Sequence, residues 1–426
     1  FDAINATTTY LSASVANFGG TGGTTTITAA GYVGIGSSTP SQKLTVVGGN
    51  ILQTASGSPT LAGSVSTSNH TYQTVVSGHY AYSADLAGGL RITDVTDPKN
   101  PILITSYAYS GVSSAAVSIA VSGRYAYVGD STAGLLIFDV SNPAMPTLVS
   151  STDIVGAPWG MALSGKYLYV ADGDAQALKI VDISNPAAPA VAGTYATGGT
   201  SQPYSVAVAG KYAYLGDIGD SKIYIVDISN PVTPARSATY TAASIAPVGL
   251  YAAGRYLYVA DAGSGFYSLD VSSATSTPTL VGSYDATGTY YGVAIGGQYA
   301  YLANNNGTVR VLDLGRPSAP VLIGSYSTGG NPLGVVLAGK YAYVSDYTGG
   351  LKIVDINGAS LPAASIGAID TNTLNVSEDL RVGNNLYADG SLNVGISGIF
   401  SRGTISAYVA SSTQTNPVVA SFMGGN

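Results

Sequence analysis

One pentapeptide recurs along this chain and dictates most of what it can become. Gly-x-Tyr-(Ala/Leu)-Tyr occurs seven times, with its first tyrosine at Tyr80, Tyr125, Tyr167, Tyr212, Tyr256, Tyr299 and Tyr341. The spacing between copies is 42–45 residues throughout. Five residues after each of these tyrosines stands Asp85, Asp130, Asp172, Asp217, Asp261, Asn304 or Asp346. An apolar stretch then ends in Asp94, Asp139, Asp182, Asp227, Asp270, Asp313 or Asp355. A Ser-Asn-Pro-x-x-Pro turn follows in several copies, as at Ser141–Pro146 and Ser184–Pro189. A period of this length requires one supersecondary unit per copy, each burying its apolar face against the next.

The third copy shows the unit. Gly165 and Lys166 make a tight turn, after which Tyr167–Ala171 alternates large and small residues at the period of a strand. Leu178–Ile183 is a second apolar run, rich in β-branched residues. Pro186 and Pro189 end it, and Ala190–Tyr195 follows as an outer strand. With a strand before the glycine turn, each copy holds four short strands. No long segment keeps a helical period. Seven such copies predict an all-β fold, a seven-bladed β-propeller.

Ring closure is also legible. Pro59–Ser64 matches Pro278–Ser283, and Val65 lies as far before Tyr80 as Tyr284 does before Tyr299. Residues 59–66 are therefore expected to supply the outer strand of the last blade, whose other strands come from residues 333–357. A rival closing segment, Pro362–Ile369, fits the same template less well. The expected organisation is an N-terminal β-rich connector over 1–58, a propeller over 59–361 and a C-terminal connector over 362–426.

The runs Leu178–Ile183, Ile223–Ile228 and Leu351–Ile356 read Leu/Ile-Lys/Tyr-Ile-Val-Asp-Ile and resemble LVIVD repeats. That resemblance covers about 300 residues. It implies a propeller in an exported or surface protein, in a family mostly without assigned activity.

The flanks differ in kind. Leu374-x-Val376, Leu380-x-Val382, Leu386-x-Ala388 and Leu392-x-Val394 recur every six residues, a period suited to a β-solenoid or an intertwined fibre stalk. Tyr32–Pro40 with Lys43–Val46 resembles a short motif of phage tail-fibre stalks and long bacterial surface proteins. The two ends echo each other, Val15-Ala-Asn-Phe18 against Val419-Ala-Ser-Phe422. Matching ends point to assembly by strand addition between copies, either a homopolymer or a homotrimeric stalk, with Val15, Phe18, Val419 and Phe422 at the junction. The chain starts at Phe1 rather than Met, so a processed chain or a fragment is expected.

Composition narrows the chemistry. Only 9% of residues are charged, the formal net charge is −7, cysteine is absent and there are two histidines. Thiolate chemistry and Cys-based metal sites are excluded. Nothing resembles a basic nucleic-acid surface or an apolar run long enough to span a bilayer. No Gly-x-Ser-x-Gly elbow and no phosphate loop occurs, and no enzymatic activity is expected. The low charge and the Gly/Ser/Thr/Tyr richness favour an extracellular or cell-surface location.

Three residue sets are candidates. Six residues before each repeat glycine stand Tyr72, Val117, Trp159, Tyr204, Val248, Tyr291 and Leu333, opening the innermost strands. Four aromatics there, Tyr72, Trp159, Tyr204 and Tyr291, suit a surface glycan or another flat ligand. The pairs Asp172/Asp174 and Asp217/Asp220 are the local carboxylate pairs with which Ca²⁺ could be held, although neither has a calcium loop's spacing. No cofactor is otherwise expected. Finally, Arg124, Lys166, Lys211, Arg255 and Lys340 sit in the first turn of their units, opposite the second Asp set.

These residues lead to an expected extracellular structural subunit, a propeller on β connectors that assembles end to end into a filament, stalk or surface layer. The alternative is an adhesion propeller that binds a glycan or small ligand.

Overall fold

The computed structural model describes residues 59–356, apart from 68, 110–113, 154, 243–244, 264, 274–275 and 285–288, together with four strands before them. Two compact units result, Phe1–Ser56 and one that begins at Gly57. In the first, Val15–Gly20, Gly23–Thr28, Val33–Ile35 and Leu44–Val46 form one four-stranded sheet in chain order. The first three strands are antiparallel, and the fourth runs parallel to the third. The hexad segment and the rival closing segment lie outside the described residues.

The second unit is a seven-bladed β-propeller, with no helix among the described residues. Blade 3 is representative: Pro158–Ser164 innermost, then Tyr167–Asp172, Ala177–Asp182 and Ala190–Ala196 outermost, all antiparallel. The repeat glycine serves the turn between the two inner strands. Gly78, Gly123, Gly165, Gly210, Gly254, Gly297 and Gly339 all have φ of 56–58° with open space where a Cβ would stand, so it is backbone conformation that selects glycine there.

The Tyr-x-Tyr pattern divides the core. Strand alternation sends Tyr169 and Ala171 towards blade 4, and Leu168 and Val170 towards blade 2. The same split recurs around the ring, giving seven buried clusters, each between adjacent blades. No blade has a core of its own, which is why the unit must recur.

The proline turns lock the circumference. A Cβ on the outer-strand residue Gly193 of blade 3 would stand 2.1 Å from the Pro231 carbonyl of blade 4. Gly282 meets Pro317 of blade 6 in the same way, and Ser150 Oγ donates to the Pro186 carbonyl at 2.9 Å. The last blade is Pro332–Ala338, Tyr341–Asp346 and Gly350–Asp355, with Thr60–Val65 as its outer strand. Leu351 pairs with Val65 and Asp355 with Thr60. Gly63 of this strand then packs on Pro98 and Pro101 of blade 1. The ring is thus closed by a strand from before the first blade, which leaves no inner edge open.

Candidate functional site

The seven residues that precede the glycine turns line a single central cavity of about 420 Å³. The backbone explains why they meet. In six blades the pairing of the innermost strand slips by one residue, and the extra residue is Val117, Trp159, Tyr204, Val248, Tyr291 or Leu333. Such a bulge re-aims a side chain out of the ladder. In blade 1 the corresponding Tyr72 lies just before Gln73–Ser77, its N–H donating to the Ala84 carbonyl at 2.9 Å.

The following residue is small for a packing reason. A Cβ on Gly160 would lie 2.8 Å from the Tyr204 carbonyl, and one on Gly249 would lie 2.4 Å from that of Tyr291. Ser205 Oγ donates to the Pro247 carbonyl at 2.6 Å. Adjacent inner strands therefore approach closely enough to set the bulged residues side by side. Sequence reasoning found these positions by register but missed the bulge; its signal is the Pro-x-Gly/Ser opening of four inner strands, at Pro158, Pro203, Pro247 and Pro332.

Trp159 and Tyr204 are offset-parallel, with ring centroids 5.4 Å apart and an interplanar angle of 11°. Gly173 leaves room for the indole, since a Cβ there would be 2.9 Å from it. Tyr72 stands edge-on to Tyr347 at 5.3 Å, and Tyr347 stacks on His70 at 4.0 Å. Burial raises the Tyr204 phenol pKa well above its ordinary value, and the nearby Tyr291 and Tyr72 push it further. Burial also raises that of Tyr72, with Tyr347 and Tyr291 adding to the effect. Among the described residues no acidic or basic side chain lines the cavity.

The first Asp set is placed otherwise. Asp85, Asp130, Asp172, Asp217, Asp261, Asn304 and Asp346 are fully buried. In five blades the carboxylate accepts an N–H from the segment leading into the inner strand, from Ala115, Gly156, Gln202, Ala246 or Asn331. Amides of the hairpin turn are second partners, as Ala133 is for Asp130 and Ala175 for Asp172. Each carboxylate thus clamps the entry to the blade onto its central hairpin.

For the Ca²⁺ candidates, Asp172 already holds two amides and Lys179 Nζ at 2.9 Å. Asp217 bonds Ser201 and the amides of Gln202 and Asp220. Asp220 accepts from Tyr224 Oη at 2.9 Å and Thr200 Oγ1 at 2.9 Å, while Asp174 is exposed. A cation at either pair would have to displace these partners. Among the described residues no three His, Cys, Asp or Glu side chains gather.

The second Asp set meets the turn cations. Arg124 pairs with Asp139, Lys166 with Asp182 at 2.7 Å, Lys211 with Asp227 at 3.8 Å, Arg255 with Asp270, and Lys340 with Asp355 at 2.8 Å. Each cation also lies over the tyrosine that follows it, 5.0–5.6 Å from the ring centroid. Of the assembly candidates, Val15 and Phe18 fall on the strand Val15–Gly20; Val419 and Phe422 lie outside the described residues.

Comparison with known proteins agrees with this architecture. The LVIVD repeat matches seven segments, residues 70–109, 114–154, 155–197, 199–242, 249–286, 287–328 and 329–367. No curated protein matches the chain. Among solved structures, the β-propeller domain of Cps50 (Swd1) from Myceliophteria thermophila superposes with a TM-score of 0.57 at 15% identity, over 70% of this chain and 99% of that one. The computationally designed Ika8 protein superposes with a TM-score of 0.53 at 10% identity, over 69% of this chain and 99% of its own. At such identities these likenesses concern the fold alone. Seven matched repeats, one for each blade, make this chain a member of the LVIVD-repeat family.

Proposed function

We propose that this chain is a non-catalytic, extracellular structural subunit, whose propeller is held between β-rich connectors and repeats along a filament, stalk or surface layer. The observation that carries the reading is what the recurrent charges do. In the same five blades one Asp clamps the blade entry and another pairs with the turn cation, so these repeated polar groups serve the ring itself. Rigidity and repetition suit a load-bearing subunit. The echo between Val15–Phe18 and Val419–Phe422 supports joining by strand addition, one copy's end completing its neighbour's start. Electron microscopy of native material over a dilution series tests this. Filaments that survive dilution, with one propeller per repeat, are expected; single discs at every dilution would overturn it.

A second reading is favoured by the aromatic cavity. There the propeller is an adhesion module for a glycan or small ligand, and Trp159→Ala abolishes binding while the fold survives. Unchanged binding by the variant sinks that reading.

A further inference from the structure

We infer that the central cavity takes a neutral saccharide, one sugar ring lying against the Trp159–Tyr204 pair and further rings extending past Tyr72 towards Tyr347 and His70. The inference rests on the adhesion reading and names its ligand class.

Shape comes first. A cavity of about 420 Å³ lies within the ~300–1,000 Å³ range of small-molecule sites. The Trp159 and Tyr204 rings are parallel within 11° but offset, with centroids 5.4 Å apart, so part of each face stays uncovered. Flat apolar faces of this kind match the C–H face of a pyranose. The aromatic surface does not end there. Tyr72 meets Tyr347 edge-on, and Tyr347 carries His70 stacked on it, both at the junction of blades 7 and 1. A surface longer than one ring suits an oligosaccharide better than a compact metabolite.

Charge comes second. Among the described residues the cavity lining holds no Asp, Glu, Lys or Arg, and the one imidazole on the ligand's path, His70, lies beyond it against Tyr347. A uronate or sialylated ligand would leave its carboxylate without a cation, at the cost of burying an unpaired charge. The polar groups that do converge are phenols. Tyr72 and Tyr204 carry neutral phenols at pH 7, as an ordinary tyrosine does, and burial with the nearby tyrosines raises both further. Neutral hydroxyls that both donate and accept are the natural complement of sugar hydroxyls. Tyr72 already shares a hydrogen bond with Tyr347, and a wholly apolar ligand would add no partner for the other phenols of the lining.

Trp159 is the chain's single tryptophan, so its emission reports this site alone. The full chain would be titrated with three probe classes: neutral gluco-, galacto- and manno-oligosaccharides, their uronic-acid or sialylated counterparts, and a flat non-sugar aromatic. Neutral oligosaccharides are expected to shift the emission saturably and with rising affinity from one ring to three. By calorimetry, Tyr204→Ala and Trp159→Phe should weaken binding at least tenfold. Lys166→Ala, at the far end of its inner strand, should leave binding unchanged and report that folding is intact. If only the acidic sugars or only the flat aromatic shifts Trp159, the ligand class is overturned while the adhesion reading stands. Saccharide binding that leaves the emission unmoved and survives both aromatic substitutions would remove the site. No response to any probe class, by emission or calorimetry, would overturn both.

Discussion

Arg91 Nη1 stands 3.1 Å from Asp85 Oδ2, in a pair whose carboxylate is fully buried. The other guanidinium nitrogen, Nη2, donates to the Ser66 carbonyl at 3.1 Å, directly after the closing strand. Thr67 and Thr71 hydroxyls bond the same carboxylate at 2.7 and 3.0 Å. Blade 1 thus replaces the amide clamp of its sisters with side chains that grip the segment closing the ring. Arg91→Met strands a buried carboxylate, and the expected cost is about 3–5 kcal/mol in urea unfolding. A loss under about 1 kcal/mol would show that the two threonines hold the closure unaided.

The closing strand itself invites a truncation. A chain that starts after Thr67 lacks Thr60–Val65 and leaves Gly350–Asp355 as an open edge with unpaired backbone groups. With the connectors 1–58 and 362–426 also removed, a ring of residues 68–361 is expected to elute as oligomers or aggregate at concentrations where a ring of residues 59–361 does not. A synthetic peptide of residues 59–67 should bind the truncated ring and restore its monomeric elution. A monomeric truncated ring of full stability would mean that three strands suffice in blade 7.

Equivalent carboxylates in blades 3 and 7 should respond to the same substitution with opposite sign. Burial pushes the Asp172 pKa up, but Lys179 and the Gly156 and Ala175 amides outweigh it and hold it below the usual range. At Asp346 burial wins over Thr328, Asn331 and Lys352, and the pKa is raised. One oxygen of Asp346, Oδ2, has no hydrogen-bond partner. Blade 6 already carries Asn304 at this position. Asp172→Asn is therefore expected to destabilise the ring at neutral pH, whereas Asp346→Asn is neutral or stabilising. Thermal melts of the two variants at pH 7 check the ordering, and equal losses would refute it.

Much of this was readable before any coordinates. The glycine turns, the strand alternation through Tyr167–Asp172, the pairing of Lys166 with Asp182 and the closing role of residues 59–66 each follow from a local rule repeated seven times. Period and register survive translation into three dimensions because every blade solves the same packing problem. What stayed hidden depends on neighbours. The bulge at Trp159 is set by how closely Gly160 lets the next inner strand approach, and Trp159's rest against Gly173 involves residues that no periodicity links. The Asp85 network is a departure from the repeat, and a consensus reading averages such departures away.

Acid should loosen the ring through its exposed pairs. Hydrogen bonds from Arg124 and Ser141 hold Asp139 at about 2, those from Lys166 and Ser184 hold Asp182 at about 2, and those from Arg255 and Ser272 hold Asp270 at about 2, against an ordinary value of 3.8. A carboxyl whose pKa falls on folding adds stability that is complete above its unfolded value and disappears as pH drops through its folded one. The window for these three groups is therefore pH 4 to 2. Asp346, raised rather than lowered, acts in the opposite sense, its burden easing as pH falls. Because Asp94, Asp227 and Asp220 are lowered as well, the net slope is set by the lowered groups. Urea midpoints are expected to hold steady from pH 7 to about 4.5 and then decline. The triple variant Asp139→Asn, Asp182→Asn, Asp270→Asn should decline less steeply across the same window. Salt at 1 M should narrow the difference only partly, since it screens the exposed cations but leaves the amide hydrogen bonds of Ser141, Ser184 and Ser272 in place. A wild-type midpoint that is level down to pH 2.5 would show that these pairs form in the unfolded chain as readily as in the ring.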